Sequence, residues 1–336
     1  MTAPFSLFAP GKLIWMGEYA VLDGAPSIVQ AVDRGLRLDF AASAAPLTVS
    51  SDLWAGPLLL ADAKADRGET ALLAAVVATL TEAGAALAPL TGTLKLASPD
   101  LVDATTGLKF GFGSSAAAAA ALTVALGRLA GLPDDRLAPL AHAAHRRFQK
   151  GAGSGVDVET SLFGGLAAMR RGPSGLSVTP LQLPPGLRIA VLHAGEAANT
   201  RTMLATLAAA RAAALPGVES ALASMAEAAE ASVVALAAGD LSEFLTLVAC
   251  FAEAERSLSA AAALPIMSAS VERCIEVAAL AGWVAKPSGA GGGDIVVAFA
   301  DGLEPTEALA ASAERARIPL LLPGIALTGA LGTRPD

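Results

Sequence analysis

The chain begins with short runs whose apolar positions suit strands: 5–9, then 27–40, where Leu36, Leu38 and Phe40 alternate with polar neighbours. An irregular glycine-containing segment separates the two. Residues 36–40 and 46–50 read as a hairpin pair around the small-residue stretch AASAA. Helical spacing takes over at 69–84, opened by Glu69 and Thr70 and stopped by Gly84. A strand at 91–98 leads to a glycine-punctuated loop at 107–113 and straight into an alanine-rich helix from 114. The next helix, 135–149, ends at the glycine-rich segment KGAGSGVDV, after which 160–170 and 187–193 read as strands. Helices are expected at 199–214, 218–237, 240–257, 266–281 and 304–316, with a glycine-rich loop at 288–293 leading into strand 294–299. The Pro- and Gly-rich stretch 171–186 is the best boundary between lobes, giving units 1–180 and 181–336. Strands followed by helices in each half suggest α+β lobes, not an alternating βαβ series.

Composition narrows the picture. A length of 336 residues suits two domains, or one large unit with a second lobe. Hydrophobic residues make up 54%, and so many are alanine that thin, closely packed helices are expected. The most apolar stretch, 115–126, is too short to span a bilayer, and MTAPFSLFAPGK lacks the pattern of a signal peptide. No membrane partner is therefore expected. A net charge of -8 argues against a nucleic-acid partner, whose phosphates demand clustered Lys and Arg. One small anionic metabolite needs only a few cations in a cleft. Cys250 and Cys274 form neither a disulfide framework nor a metal-ligand spacing, which fits a reducing cytoplasm. Monomer and homodimer stay equally open.

Three glycine-rich segments carry the candidate chemistry. In GFGSSAAAAAALTVALG at 111–127, Gly111 and Gly113 let backbone N–H groups approach a ligand. Ser114, Ser115 and Ala116 open the helix, where unpaired N–H groups and the dipole favour an anion. Taken alone, the segment could be an ordinary capped turn. It is neither a Walker A loop, lacking the Lys, nor a dinucleotide fingerprint, lacking the acid after the next strand. In KPSGAGGGDIVVAF at 286–299, the glycine density implies close backbone approach, to a ligand or to another loop. In APGKLIWMGEYAVLDG at 9–24, Lys12 is expected in a tight Pro-Gly turn, six residues before Glu18. By itself such a lysine would be a solvated charge.

In order and spacing, these three segments together resemble the motifs of the GHMP kinases, the family of galactokinase, homoserine kinase, mevalonate kinase and phosphomevalonate kinase. The resemblance covers nearly the whole chain. It implies a two-lobed α+β GHMP fold with the active site in the cleft between lobes, and ATP with Mg²⁺ as cofactors. Within the family, GEYAVL at 17–22, GLKFGFGSSA at 107–116, AHRRFQKGAGSGVDVETSLFGG at 144–165, HAGEAANTRTML at 193–204 and KPSGAGGGD look most like the phosphomevalonate kinase forms. Arg146 stands roughly where mevalonate kinases carry a metal-binding acid, which counts against that acceptor. Phe110, Phe112 and the run Val158–Ser161 depart from the family pattern.

The resemblance implies roles residue by residue. Asp157 and Lys12 form the catalytic pair, Asp157 orienting or deprotonating the acceptor and Lys12 holding it ionised. Gly111, Gly113, Ser114, Ser115 and Ala116 hold the nucleotide phosphates, with Ser115 the Mg²⁺ ligand; Lys109 reaches either phosphate or solvent. The acceptor falls to Glu18, Tyr19, His145, Lys150, Ser154, Gly155, Arg201, Lys286, Ser288, Gly289, Ala290 and Gly291, with Arg146 and Gly292 as further candidates. The expected reaction is ATP-dependent phosphorylation of phosphomevalonate. Mevalonate or a sugar phosphate is the alternative acceptor, and a catalytically silent binding protein the alternative class. Keeping both Lys12 and Asp157 speaks against silence, because a binding module needs only the loops.

Overall fold

The computed structural model describes residues 2–52, 54, 56–63, 68, 70–102, 109–151, 153–173, 175–196, 200–302 and 306–334. Expectations that fall on Glu69 and on residues 107–108, 152, 174, 197–199 and 304–305 lie outside them.

A seven-stranded sheet is built from β1 (Phe5–Met16), β2 (Pro26–Pro46), β3 (Thr48–Ser51), β4 (Leu58–Leu59), β5 (Thr91–Ala97), β6 (Leu166–Gly172) and β7 (Gly175–Pro180). Its path runs β4-β3-β5-β2-β6-β7, with β1 antiparallel to β2. The alternation read from the sequence is seen in β2, where Leu36, Leu38 and Phe40 are buried while Arg37 and Asp39 face water. The expected hairpin of 36–40 with 46–50 is corrected. β2 runs on through the small residues to Pro46, and β3 then lies parallel to β5, which separates it from β2. Both runs are strands; their pairing is non-local.

Four helices pack with this sheet: α1 (Ala71–Glu82), α2 (Ser114–Leu129), α3 (Leu137–Phe148) and α4 (Val156–Phe163). In α2 every residue from Ala116 to Gly127 is buried, because alanine lets α1, α3, α4, β1 and β2 all approach it. Residues 160–163, expected as the start of a strand, are the last turn of α4. There the Thr160 hydroxyl bonds the Val156 carbonyl at 2.7 Å, and Gly164 at φ 72° ends the helix. A stretch of four residues does not reveal its period.

The second sheet comprises β8 (Arg188–His193), β9 (Val284–Ser288), β10 (Ile295–Ala300) and β11 (Leu320–Leu321), in the order β11-β8-β10-β9. Then come α5 (Thr200–Ala212), α6 (Val218–Ala238), α7 (Leu241–Ala261), α8 (Ala269–Leu280) and α9 (Thr306–Ala316); α7 and α8 pack on this sheet, α9 on α8, and α6 on α7 and β2. By length and composition α6 could cross a membrane. Here it packs along α7, with Val218, Leu222, Met225 and Leu236 buried. An aromatic cluster joins the halves: Trp15 of β1 lies 5.3 Å from Phe299 of β10 and 5.9 Å from Phe244 of α7. The core is therefore continuous behind the cavity described next.

Candidate active site

The site begins at a close approach of backbones. Lys12 lies in strand β1, not in the expected turn, and its N–H donates to the Phe112 carbonyl at 2.8 Å. A Cβ at Gly11 would stand 2.8 Å from both the Cβ and the carbonyl oxygen of Phe112, so only glycine lets β1 lie against this loop. Gly111 and Gly113 adopt φ 73° and 78°, and α2 starts at Ser114 without a side-chain cap. The first amides of α2 therefore have no intrahelical acceptor. The two departing phenylalanines anchor the loop: Phe112 is buried, and Phe110 meets the His193 ring edge-on at 5.9 Å. His193 Nε2 also donates to the Lys109 carbonyl at 2.9 Å.

Opposite this loop stands the third glycine-rich segment. A Cβ at Gly111 would come within 2.9 Å of Asp294 Cβ, so the two loops face each other directly. Between them a cavity of about 600 Å³ is lined by Lys12, Lys109, Gly111, Gly113, Ser114 and Ser115 on one side. Ser154 and Asp157 line it from α4 and the segment before it, and Glu18, Tyr19, Ser288, Gly289 and Ala290 complete the wall. The Ser288 hydroxyl bonds Ile14 O at 2.9 Å, while Gly289 N–H donates to Glu18 Oε1 at 3.2 Å. Tyr19 holds φ 59°, unusual for a non-glycine residue, and its hydroxyl donates to the Ala290 carbonyl.

Several expected residues stand elsewhere. Gly291 and Gly292 do not line the cavity; Cβ atoms there would lie 2.6 Å from Ile266 Cγ2 and 2.9 Å from the Pro265 carbonyl. Their glycines serve another loop, not a ligand. Lys286 is corrected most sharply. It is 0% exposed, bonds Glu18 Oε1 at 2.6 Å and the Pro287 carbonyl, stands 3.7 Å from Glu255 and covers the Phe251 ring at 5.0 Å. Fully buried and outside the cavity lining, it does not face an acceptor molecule there. Ala116 is buried in α2, and Gly155 caps α4 at φ 85° beside the lining residues Ser154 and Asp157. His145 is buried behind Ser115 and does not line the cavity. Lys150, Arg146 and Arg201 are exposed and do not line it, although Lys150 and Arg201 adjoin the lining residues Gln149 and Thr200. Among the described lining residues Lys12 and Lys109 are the cations.

Electrostatics concentrate on Lys12. Burial lowers its ammonium below the ordinary lysine range, while Asp157, Asp294 and Glu18, in that order, pull it back up. Its Nζ donates to the Gly111 carbonyl at 3.2 Å. Burial also pushes the Tyr19 phenol up, keeping it a neutral donor. Beside Asp157, burial disfavours ionised Glu159, but His142 at 2.5 Å and Arg334 outweigh it and hold that carboxyl below the usual range.

Sequence reasoning missed Gln149, Thr200, Leu204 and Asp294 as lining residues. Asp294 closes the third glycine-rich loop and could have been found there. The others are brought in by helix packing and carry no local signal. For a divalent cation, the oxygens lining the cavity include the Ser115 hydroxyl and the carboxylates of Asp157, Asp294 and Glu18. Among the described residues no group of three or more His, Cys, Asp or Glu could hold a metal. This sparse donor set fits Mg²⁺ that keeps most of its oxygens on phosphate and water.

Comparison with known proteins agrees with this arrangement. The model of the GHMP kinases N terminal domain matches residues 71–165, and that of the GHMP kinases C terminal domain matches 232–317. The chain is 30% identical to the phosphomevalonate kinase of Streptomyces sp. (strain CL190), over 87% of this chain and 89% of that protein. Among solved structures, a Lin0012 protein from Listeria innocua superposes with a TM-score of 0.82 at 22% identity, covering 96% and 98% of the two chains. Streptococcus pneumoniae phosphomevalonate kinase, in complex with phosphomevalonate and AMPPNP, superposes with a TM-score of 0.78 at 21% identity, covering 97% and 100%.

Proposed function

The chain belongs to the GHMP kinase family, and we propose that it transfers the γ-phosphoryl group of ATP to phosphomevalonate, giving diphosphomevalonate. The observation that carries the transfer is the meeting of Lys12 and Asp157 in one cavity walled by two glycine loops. The 30% identity to a curated phosphomevalonate kinase supports the choice of acceptor.

Phosphoryl transfer asks for positioning and charge neutralisation. The amides that open α2 and the residues Gly111 to Ser115 would hold the triphosphate, and Ser115 would hold a Mg²⁺ that would supply charge neutralisation at the phosphates. The Lys12 ammonium, fixed to Gly111 O, stands where charge crosses from donor to acceptor. A phosphate acceptor has a second pKa near 6 and arrives largely ionised, so Asp157 has little proton to remove. Its work is to hold Lys12 charged and aimed. Lys150 and Arg201, next to the lining residues Gln149 and Thr200, supply further cations for an anionic acceptor.

The test is turnover with ATP and a panel of mevalonate, phosphomevalonate, a heptose phosphate and homoserine, read by product mass. Phosphomevalonate should give the diphosphate and the others far less. Turnover of mevalonate in preference to its phosphate would overturn the acceptor and leave phosphotransfer standing.

A further inference from the structure

We propose that His145 is a positioning residue that stands between the phosphate loop and Asp157, accepting the Ser115 hydroxyl hydrogen bond so that the Ser115 oxygen faces the nucleotide's cation. The proposal rests on the phosphotransfer reading above.

His145 lies near the end of α3, 4% exposed. Its Nε2 is 3.2 Å from Ser115 Oγ and 3.2 Å from Gln149 Nε2, while its Nδ1 faces Asp157 Oδ2 at 3.9 Å. With the Gln149 amide oriented so that its Nε2 faces the ring, that group can only donate, and the histidine Nε2 is then the bare acceptor. The ring proton then sits on Nδ1, directed at the Asp157 carboxylate. In that orientation an Nε2–H imidazole would set N–H against N–H, so the Nδ1–H tautomer is the one that fits. Oε1 of Gln149 packs over Gly153, where a Cβ would come within 2.7 Å of it. That glycine leaves room for the Gln149 side chain.

The consequence falls on Ser115. With Nε2 accepting, Ser115 O–H is a donor to the ring, and its lone pairs are left for the cavity that it lines. An oxygen so oriented suits a hard cation, while the phosphates take the backbone amides of α2. One imidazole thus fixes the orientation of a candidate metal ligand and faces the acid that aims Lys12. Partners of this kind, one shell behind a ligand, typically carry about 10–100-fold in metal affinity or activity.

The chain has three histidines, so 15N-histidine NMR resolves them readily. In its neutral form the His145 ring should show the Nδ1–H tautomer, assigned by the signals that His145→Phe removes. Calorimetry should give His145→Phe about tenfold weaker binding of AMPPNP with Mg²⁺, and unchanged binding with the metal chelated. His145→Gln, which can restore an acceptor for Ser115, should recover most of the loss. An Nε2–H tautomer in the parent protein, or equal Mg²⁺-dependent affinity in parent and His145→Phe, overturns the proposal. Failure of the parent to bind AMPPNP would strike the function itself, and the tautomer would still decide the role of His145.

Discussion

Lys12 and Lys286 are both strand lysines beside glycine-rich loops, both feel Glu18, and they end in opposite employment. Lys12 lines an open cavity and, among the described residues, donates one side-chain hydrogen bond, to Gly111 O. Lys286 is sealed between Glu18, Glu255, the Pro287 carbonyl and the Phe251 ring. The first has donors left for a ligand; the second has spent them on the protein. Its partner Glu18 also receives Gly289 N–H, so Lys286 acts on the cavity only by holding its wall. An ammonium near a flexible loop becomes chemistry or scaffold according to how many partners reach it.

The contrast breaks most visibly by substitution. Lys12→Met should cut kcat by about 10³-fold, close to 4 kcal/mol, with little change in the urea midpoint. Lys286→Met should leave the buried Glu18 carboxylate without its cation and cost about 3–5 kcal/mol of stability by urea denaturation. If Lys286→Met were fully stable yet inactive, the division of labour drawn above would be wrong. A smaller effect is expected at the contact that brings Lys12 to the phosphate loop. Gly11→Ala should cost about 1–3 kcal/mol, because Phe112 must move, and should lower activity with it.

The pH dependences sharpen the same contrast. Burial pushes Glu255 well above the usual carboxylate range, against the pull of Lys286. The folded protein therefore keeps a proton that the unfolded chain has released, so stability falls as pH rises from the ordinary carboxylate value toward the raised one. Glu255→Gln removes that slope. Followed by denaturation across pH, the variant should gain on the parent as pH rises through this interval, and the two should converge below it. At Lys12 the depressed ammonium is lost as pH rises through its lowered value. The alkaline fall of kcat/KM should thus lie below the ordinary lysine range, and Lys12→Arg should move whatever activity it keeps to higher pH.

Much of this was legible in the chain because it is local. Turn glycines, the helix start at Ser114 and the alternation in β2 are written within a few residues. What could not be read depends on distant partners. Lys286 looked like a free cation because Glu18 and Glu255, which consume it, lie 268 and 31 positions away. Gly291 and Gly292 looked like ligand glycines, but Pro265 and Ile266 are what they admit. The 36–50 hairpin failed because β5, some 45 residues on, takes the place beside β3. Residues 160–163, Thr-Ser-Leu-Phe, are too short a stretch to tell helix from strand.

The central claim is that Asp157, held beside Lys12 between two glycine loops, serves transfer and not nucleotide binding. The most direct measurement pairs product formation from ATP and phosphomevalonate with AMPPNP affinity, in the parent and in Asp157→Asn. The account predicts a loss of turnover of about 10²–10³-fold at unchanged nucleotide affinity. Turnover within a few-fold of the parent, at unchanged affinity, would contradict it.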